Sequence, residues 1–135
     1  MNHKNYFENY LKKPFIENTN NLYETEAGFL RGNMFKNLYV PYKNYQIKKP
    51  ILTTEKDRLM YDLQMYAFGM QDLLLYLDMN PNDLNVVNKF IELQEEAEEH
   101  KKIYERKYGS INLCSKELNN TPWPWLKNWP FEVKR

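Results

Sequence analysis

A single cysteine, Cys114, stands among 135 residues, so no disulfide can close within the chain, and synthesis in a reducing compartment is the simple reading. Glycine is scarce too, with four residues, and they do not suggest a Gly-rich phosphate loop. Histidine is limited to His3 and His100. Charge of one sign is also missing: the formal net charge is +1, with Lys and Arg matched by Asp and Glu along most of the chain. Without a basic stripe there is little to release counterions from phosphates, which argues against nucleic acid as the main partner. No apolar run approaches the ~20 residues that a membrane-spanning helix needs. The N-terminal MNHKNYFENYLKKPF lacks the apolar centre of a secretion signal, and the expectation is a protein made and kept inside a cell.

Aromatic side chains are plentiful, and the three tryptophans are concentrated at one end. Thr121-Pro122-Trp123-Pro124-Trp125 is followed by Trp129-Pro130-Phe131. Each proline fixes φ and removes a backbone donor, so this tail is expected to be an extended, polyproline-like ribbon. A buried indole removes roughly 150 to 250 Å² from water. At ~25 cal/mol per Å², three are worth on the order of 10 kcal/mol gross, so the ribbon is expected to cover its own protein or a partner.

Residues 1–52 show little helical period and carry Pro14, Gly28, Gly32, Pro41 and Pro50, which predicts an arm with short turns and no core. Within it, Tyr6, Phe7, Tyr10 and Leu11 share one helical face ahead of Pro14. From Thr54 the pattern changes. Thr54 can cap a helix whose third residue is Asp57, and Leu59, Leu63, Tyr66, Met70, Leu73 and Leu77 recur at steps of four and three. Asn80-Pro81-Asn82-Asp83 reads as a stop and restart, with Asn80 as N-cap, Pro81 at the first helical position and Asp83 near the positive end of the dipole. The second helix is expected to run to about Tyr108 and stop at Gly109, with Val86, Phe90, Leu93, Ala97, Tyr104 and Tyr108 on its apolar face. A short link makes two such helices antiparallel neighbours.

The first helix is apolar on two sides. At about 100° per residue, Tyr61, Phe68 and Leu75 lie opposite the Leu59–Leu77 stripe, so one partner helix cannot cover both. The Trp tail, the N-terminal arm or another chain must cover the second side. Gly69, which costs ~1 kcal/mol relative to Ala in a helix, hints at close backbone approach there. The fold class expected is mainly α: an N-terminal arm over 1–52, an antiparallel helical hairpin over 53–109, and an extended Pro/Trp-rich tail over 110–135 packed on the hairpin or a partner.

Leu74-Leu75-Tyr76-Leu77-Asp78, then Asn80-Pro81-Asn82-Asp83, then Tyr104 to Gly109 as YERKYG, then the PWPW tail resemble the spore coat protein CotJB family over about residues 55–131. Met79-Asn80 stand where Thr-His is common in that family, and Ser110 where Pro is common. Within residues 24–42, the run from Glu26 to Tyr42 is similar to the E-A-x-x-RGT-x-FP-x-L-x-x-PY segment of the small coat-associated peptide CotJA, with Asn33 in place of Thr and Lys36 in place of Pro. The two resemblances imply a fusion of peptides ordinarily encoded side by side. They also imply a non-catalytic component of the spore coat, made in the mother-cell cytoplasm, that acts with a manganese-catalase-like coat protein and other coat proteins. Self-association stays open. The residues expected to meet partners are Arg31, Phe35, Leu38 and Tyr42 in the arm, Tyr61, Phe68 and Leu75 on the first helix, and Trp123, Trp125 and Trp129 in the tail.

Chemistry within the chain itself is not expected. A di-metal carboxylate bundle needs Glu-x-x-His, but Ala97 stands three before His100, and the first helix offers no Glu on its core face. His100 is expected at the boundary of core and solvent, and neither a metal nor a cofactor is expected. Cys114 has no Cys-x-x-Cys context or nearby His, and Glu92 to Glu99 reads as a solvated helix face. Arg31 between Gly28 and Gly32 reads either as a loop cation or as a turn that docks on an acidic surface. Two alternatives come from other classes: an accessory subunit of a catalase-type enzyme, and a single-stranded nucleic-acid binder stacking bases on the tail.

Overall fold

A computed structural model describes residues 21–40 and 42–126. The amphipathic start expected at Tyr6–Leu11, and Trp129 with Pro130 and Phe131, lie outside the described residues. Among the described residues the architecture is helical, with α1 over Thr25–Arg31, α2 over Glu55–Met79 and α3 over Leu84–Tyr108. Two single 3-10 turns follow at Lys116–Leu118 and Pro124–Leu126.

Helix α2 starts as its sequence predicts. Thr54 Oγ1 accepts from the Asp57 amide at 3.1 Å, and Asp57 Oδ2 accepts from the Thr54 amide at 3.2 Å, a reciprocal capping box. The stop between the long helices differs from expectation. Asn80 closes α2, its amide donating to Tyr76 and Leu77 carbonyls, and Asp83 is the N-cap of α3, accepting from the Val86 amide at 3.3 Å. Asp83 wins because its buried carboxylate does two things: Oδ1 caps α3, and Oδ2 accepts from Tyr76 Oη at 2.9 Å. Pro81 therefore sits in the turn, where its missing N–H costs nothing. At the other end of the hairpin, Glu55 takes Lys107 as an ion pair and Tyr108 Oη at 3.1 Å, pinning the start of α2 to the end of α3.

The N-terminal region departs most from expectation: it contributes to the core. Residues 21–36 close into a loop around α1. Leu22 bridges Phe35 in antiparallel fashion, with the Tyr23 amide donating to Met34 O at 2.9 Å and the Lys36 amide to Asn21 O at 2.8 Å. Gly32, at φ 79°, ends α1 in the left-handed conformation that glycine adopts without penalty. Asn33 Oδ1 accepts from the Phe35 amide, and Asp72 Oδ2 on α2 accepts from the Met34 amide at 2.7 Å. With its backbone satisfied, the loop can bury Met34 and Phe35 completely, in one cluster with Leu73, Val86 and Leu93.

Gly69 marks where three elements meet. A Cβ there would stand 2.7 Å from Leu93 Cδ1 of α3, and 3.7 Å from both Met34 Sδ and Thr25 Cγ2. On the helical wheel, Met65, Gly69 and Tyr76 fall between the two apolar sides of α2. This seam is deepest where α3 covers one side and the N-terminal loop the other. Phe29 of α1 packs on Tyr61 at 5.4 Å and on Phe68 at 5.7 Å between ring centroids. The N-terminal segment therefore covers the second apolar side of α2, but Leu75 lies beyond its reach and is exposed.

The start of the tail is held by α3. Glu105 Oε1 accepts from the Ile111 amide at 3.1 Å and from Ser115 Oγ, and Leu118 is buried. The turn at Pro124–Leu126 lies against that at Lys116–Leu118. The PWPW stretch thus includes a 3-10 turn where an extended ribbon was expected. Proline's fixed φ suits the first position of such a turn as well as it suits polyproline.

Candidate partner-docking surface

Past Phe35 the chain runs out of the core and over the surface. Leu38, Tyr39, Val40, Tyr42, Tyr45, Ile47 and Ile51 are all large, apolar or aromatic, and exposed. This stretch is nonetheless tied down. Tyr45 Oη donates to the Leu30 carbonyl of α1, Lys49 pairs with Glu26 at 2.8 Å, and Asn44, at φ 60°, makes the turn that folds the segment back. The result is a surface bowl of about 660 Å³ between the C-terminal end of α1, the returning segment and α2. Phe35 forms its floor, stacked on Tyr76 at 4.5 Å between centroids, and Tyr23, Tyr39, Tyr42 and Tyr45 line it.

Cations sit at the rim. The Arg31 guanidinium lies 4.9 Å from the centre of the Tyr23 ring, and Lys36 Nζ lies 6.0 Å from the same ring. Asp72 is the carboxylate in the wall. Around the bowl, ionisation follows local contacts. The Lys49 ammonium holds the Glu26 carboxyl below its ordinary range. Burial, then the Asp83 carboxylate, pushes the Tyr76 phenol up to about 12, and burial followed by Glu26 raises the Tyr61 phenol.

The structure separates the residues expected to meet partners. Arg31 and Tyr42 are exposed and line the bowl, with Phe35 buried beneath them, and Leu38 is exposed on the same segment outside its lining. Tyr61 is buried and Phe68 half-buried against Phe29, so these two rings serve packing within the chain. Leu75 is exposed on α2, Trp123 is half-exposed in the tail, and Trp125 is partly buried. Tyr23, Tyr39 and Tyr45 were not singled out from sequence. The signal for them was available in the spacing of tyrosines on either side of Pro41, but only folding brings them around one hollow.

His100 occupies the boundary between α2 and α3. Its Nδ1 lies 2.8 Å from the Glu96 carbonyl, its Nε2 3.7 Å from Asp62 Oδ2, and its ring edge meets Tyr66. Among the described residues, no group of three or more His, Cys, Asp or Glu side chains is gathered closely enough to hold a metal ion. Among the same residues, no helix is long and apolar enough to cross a membrane.

The family model described as CotJB protein matches residues 57–132, which takes in most of α2, all of α3 and most of the tail, and leaves residues 24–42 outside. No curated protein and no solved structure matches the chain. The match covers more than half of the sequence and falls on the hairpin, its Asn80–Asp83 turn and the PWPW tail: the chain belongs to the CotJB family of spore coat proteins.

Proposed function

We propose that this protein is a non-catalytic structural component and adaptor of the spore coat, assembling with a manganese-catalase-like coat protein through the surface around the bowl and through the Trp123, Trp125 and Trp129 tail. The observation that carries this reading is the run of exposed apolar and aromatic side chains from Leu38 to Ile51, held in place by Tyr45 and Lys49. Exposed apolar and aromatic side chains on a fixed backbone are costly to leave in water and cheap to dock, and aromatic and Arg anchors dominate binding energy in interfaces. The segment from Glu26 to Tyr42 serves in this reading as a built-in counterpart of the small coat peptide it resembles. Synthesis takes place in the mother cell, and self-association is a second mode of assembly. No observation on the described residues favours a catalase subunit or a nucleic-acid binder.

Co-expression with the manganese-catalase-like coat protein tests the proposal. The two should co-purify, and a chain carrying Leu38→Asp and Tyr42→Asp should remain folded yet lose the partner. If the wild-type chain stays a separate monomer at micromolar concentration, the adaptor reading fails.

A further inference from the structure

The surface around the bowl has a charge that the whole chain lacks. From Ala27 to Thr54 there is no Asp or Glu, whereas Arg31, Lys36, Lys43, Lys48 and Lys49 all lie in that span. Of these, Lys49 is paired with Glu26; among the described residues no carboxylate lies within ion-pair distance of the other four. Arg31 and Lys36 both lie over the Tyr23 ring, 4.9 and 6.0 Å from its centre, and both side chains are exposed.

We infer that the bowl binds an acidic polypeptide segment, with carboxylates on Arg31 and Lys36 and an apolar or aromatic side chain among Tyr23, Tyr39, Tyr42 and Tyr45. The inference rests on the adaptor reading and names the chemistry of its partner. Three observations select this occupant. A second copy docking through the same face would bring a second set of Arg31 and Lys36 cations to the interface, a like-charge juxtaposition that disfavours it. A nucleotide could stack on the tyrosines, but it would leave the apolar Val40 side chain in the lining without an apolar partner. Finally, Asp72 in the wall gives Oδ2 to the Met34 amide. A peptide brings N–H donors for that carboxylate, whereas a polyphosphate brings only like charge. A hollow of about 660 Å³ is also within the size range of small-ligand and side-chain pockets, roughly 300–1,000 Å³.

The test is a fluorescence-anisotropy titration of the full chain with three labelled probes: a short Glu/Asp peptide containing Phe and Leu, its counterpart with Lys at every acidic position, and an oligothymidylate. The acidic peptide should bind saturably below about 1 mM, and binding should weaken about tenfold in Arg31→Glu/Lys36→Glu and as salt is raised. The milder Arg31→Gln/Lys36→Gln pair should give an intermediate loss, and both variants should keep the wild-type helical signal, because both side chains are exposed. The Lys peptide and the oligothymidylate should not bind. Failure of the acidic peptide to bind, equal binding by the charge-reversed variant, or tighter binding of the oligothymidylate overturns the inference. That failure is distinct from failure of the adaptor reading, which is a wild-type chain that holds no coat partner whatever the peptide titration gives.

Discussion

Replacing Met34 by Ala tests whether the N-terminal segment is structural. Met34 is fully buried and its sulfur lies against two glycines: a Cβ on Gly28 would stand 2.6 Å from it, and one on Gly69 3.7 Å. Truncation of a buried Met to Ala costs roughly 2–5 kcal/mol, with larger values where the site cannot collapse. Here much of the wall is backbone, of α1 at Gly28 and of α2 at Gly69, and neither helix can move inward without dragging its other contacts. About 3 kcal/mol is the expected loss, a large part of the ~5–15 kcal/mol that holds a typical domain together. The assay is urea denaturation followed by far-ultraviolet circular dichroism, a signal dominated by α2 and α3. Met34→Leu, which conserves volume, should cost less than ~1.5 kcal/mol. If Met34→Ala moves the hairpin transition by less than ~0.5 kcal/mol while Leu93→Ala moves it by several, the segment is a passive arm and the core assignment is wrong.

Other consequences follow from the same contacts. Gly69→Ala should destabilise by about 1–2 kcal/mol, since crowding against Leu93 outweighs the ~1 kcal/mol helical gain of Ala; chemical denaturation of Gly69→Ala/Leu93→Ala should show a loss smaller than the sum of the single losses. Tyr76 ties α2 to the N-cap of α3, and its folded phenol titrates at about 12, above the ordinary value of 10.0. Its contribution to stability is therefore fully present below pH 10 and is lost between pH 10 and 12; denaturation across that window should show a steeper fall for wild type than for Tyr76→Phe. Trp123→Ala should change hairpin stability by less than ~0.5 kcal/mol because the ring is half-exposed, whereas Leu118→Ala, deleting the buried side chain at the start of the tail, should cost about 2 kcal/mol or more in the same measurement.

The long helices were legible because their signals are local and repeated: a capping box at Thr54, apolar residues at steps of three and four, and Gly109 after Tyr108. The two-sided character of α2 was legible as well, and so was the reason for Gly69. The covering of the second side was not. Helix α1 has only seven residues, too short for periodicity to show, and the burial of Met34 depends on Asp72, 38 positions away. The N-cap of α3 was misplaced for a similar reason. Asn80 and Asp83 both suit a cap, and the choice is made by Tyr76, whose hydroxyl selects Asp83. At the candidate site, Arg31, Leu38 and Tyr42 could be named from the sequence, but the bowl exists only because Tyr45 and Lys49 return the chain to α1.

The central claim is that a folded, fixed N-terminal segment presents this chain to another coat protein. Sedimentation-velocity analysis of the purified chain with purified manganese-catalase-like coat protein tests it most directly. A faster-moving complex containing both proteins at micromolar concentration, weakened by added salt and abolished by Arg31→Glu/Lys36→Glu, is the result expected. Two boundaries that sediment independently at every salt concentration would contradict it.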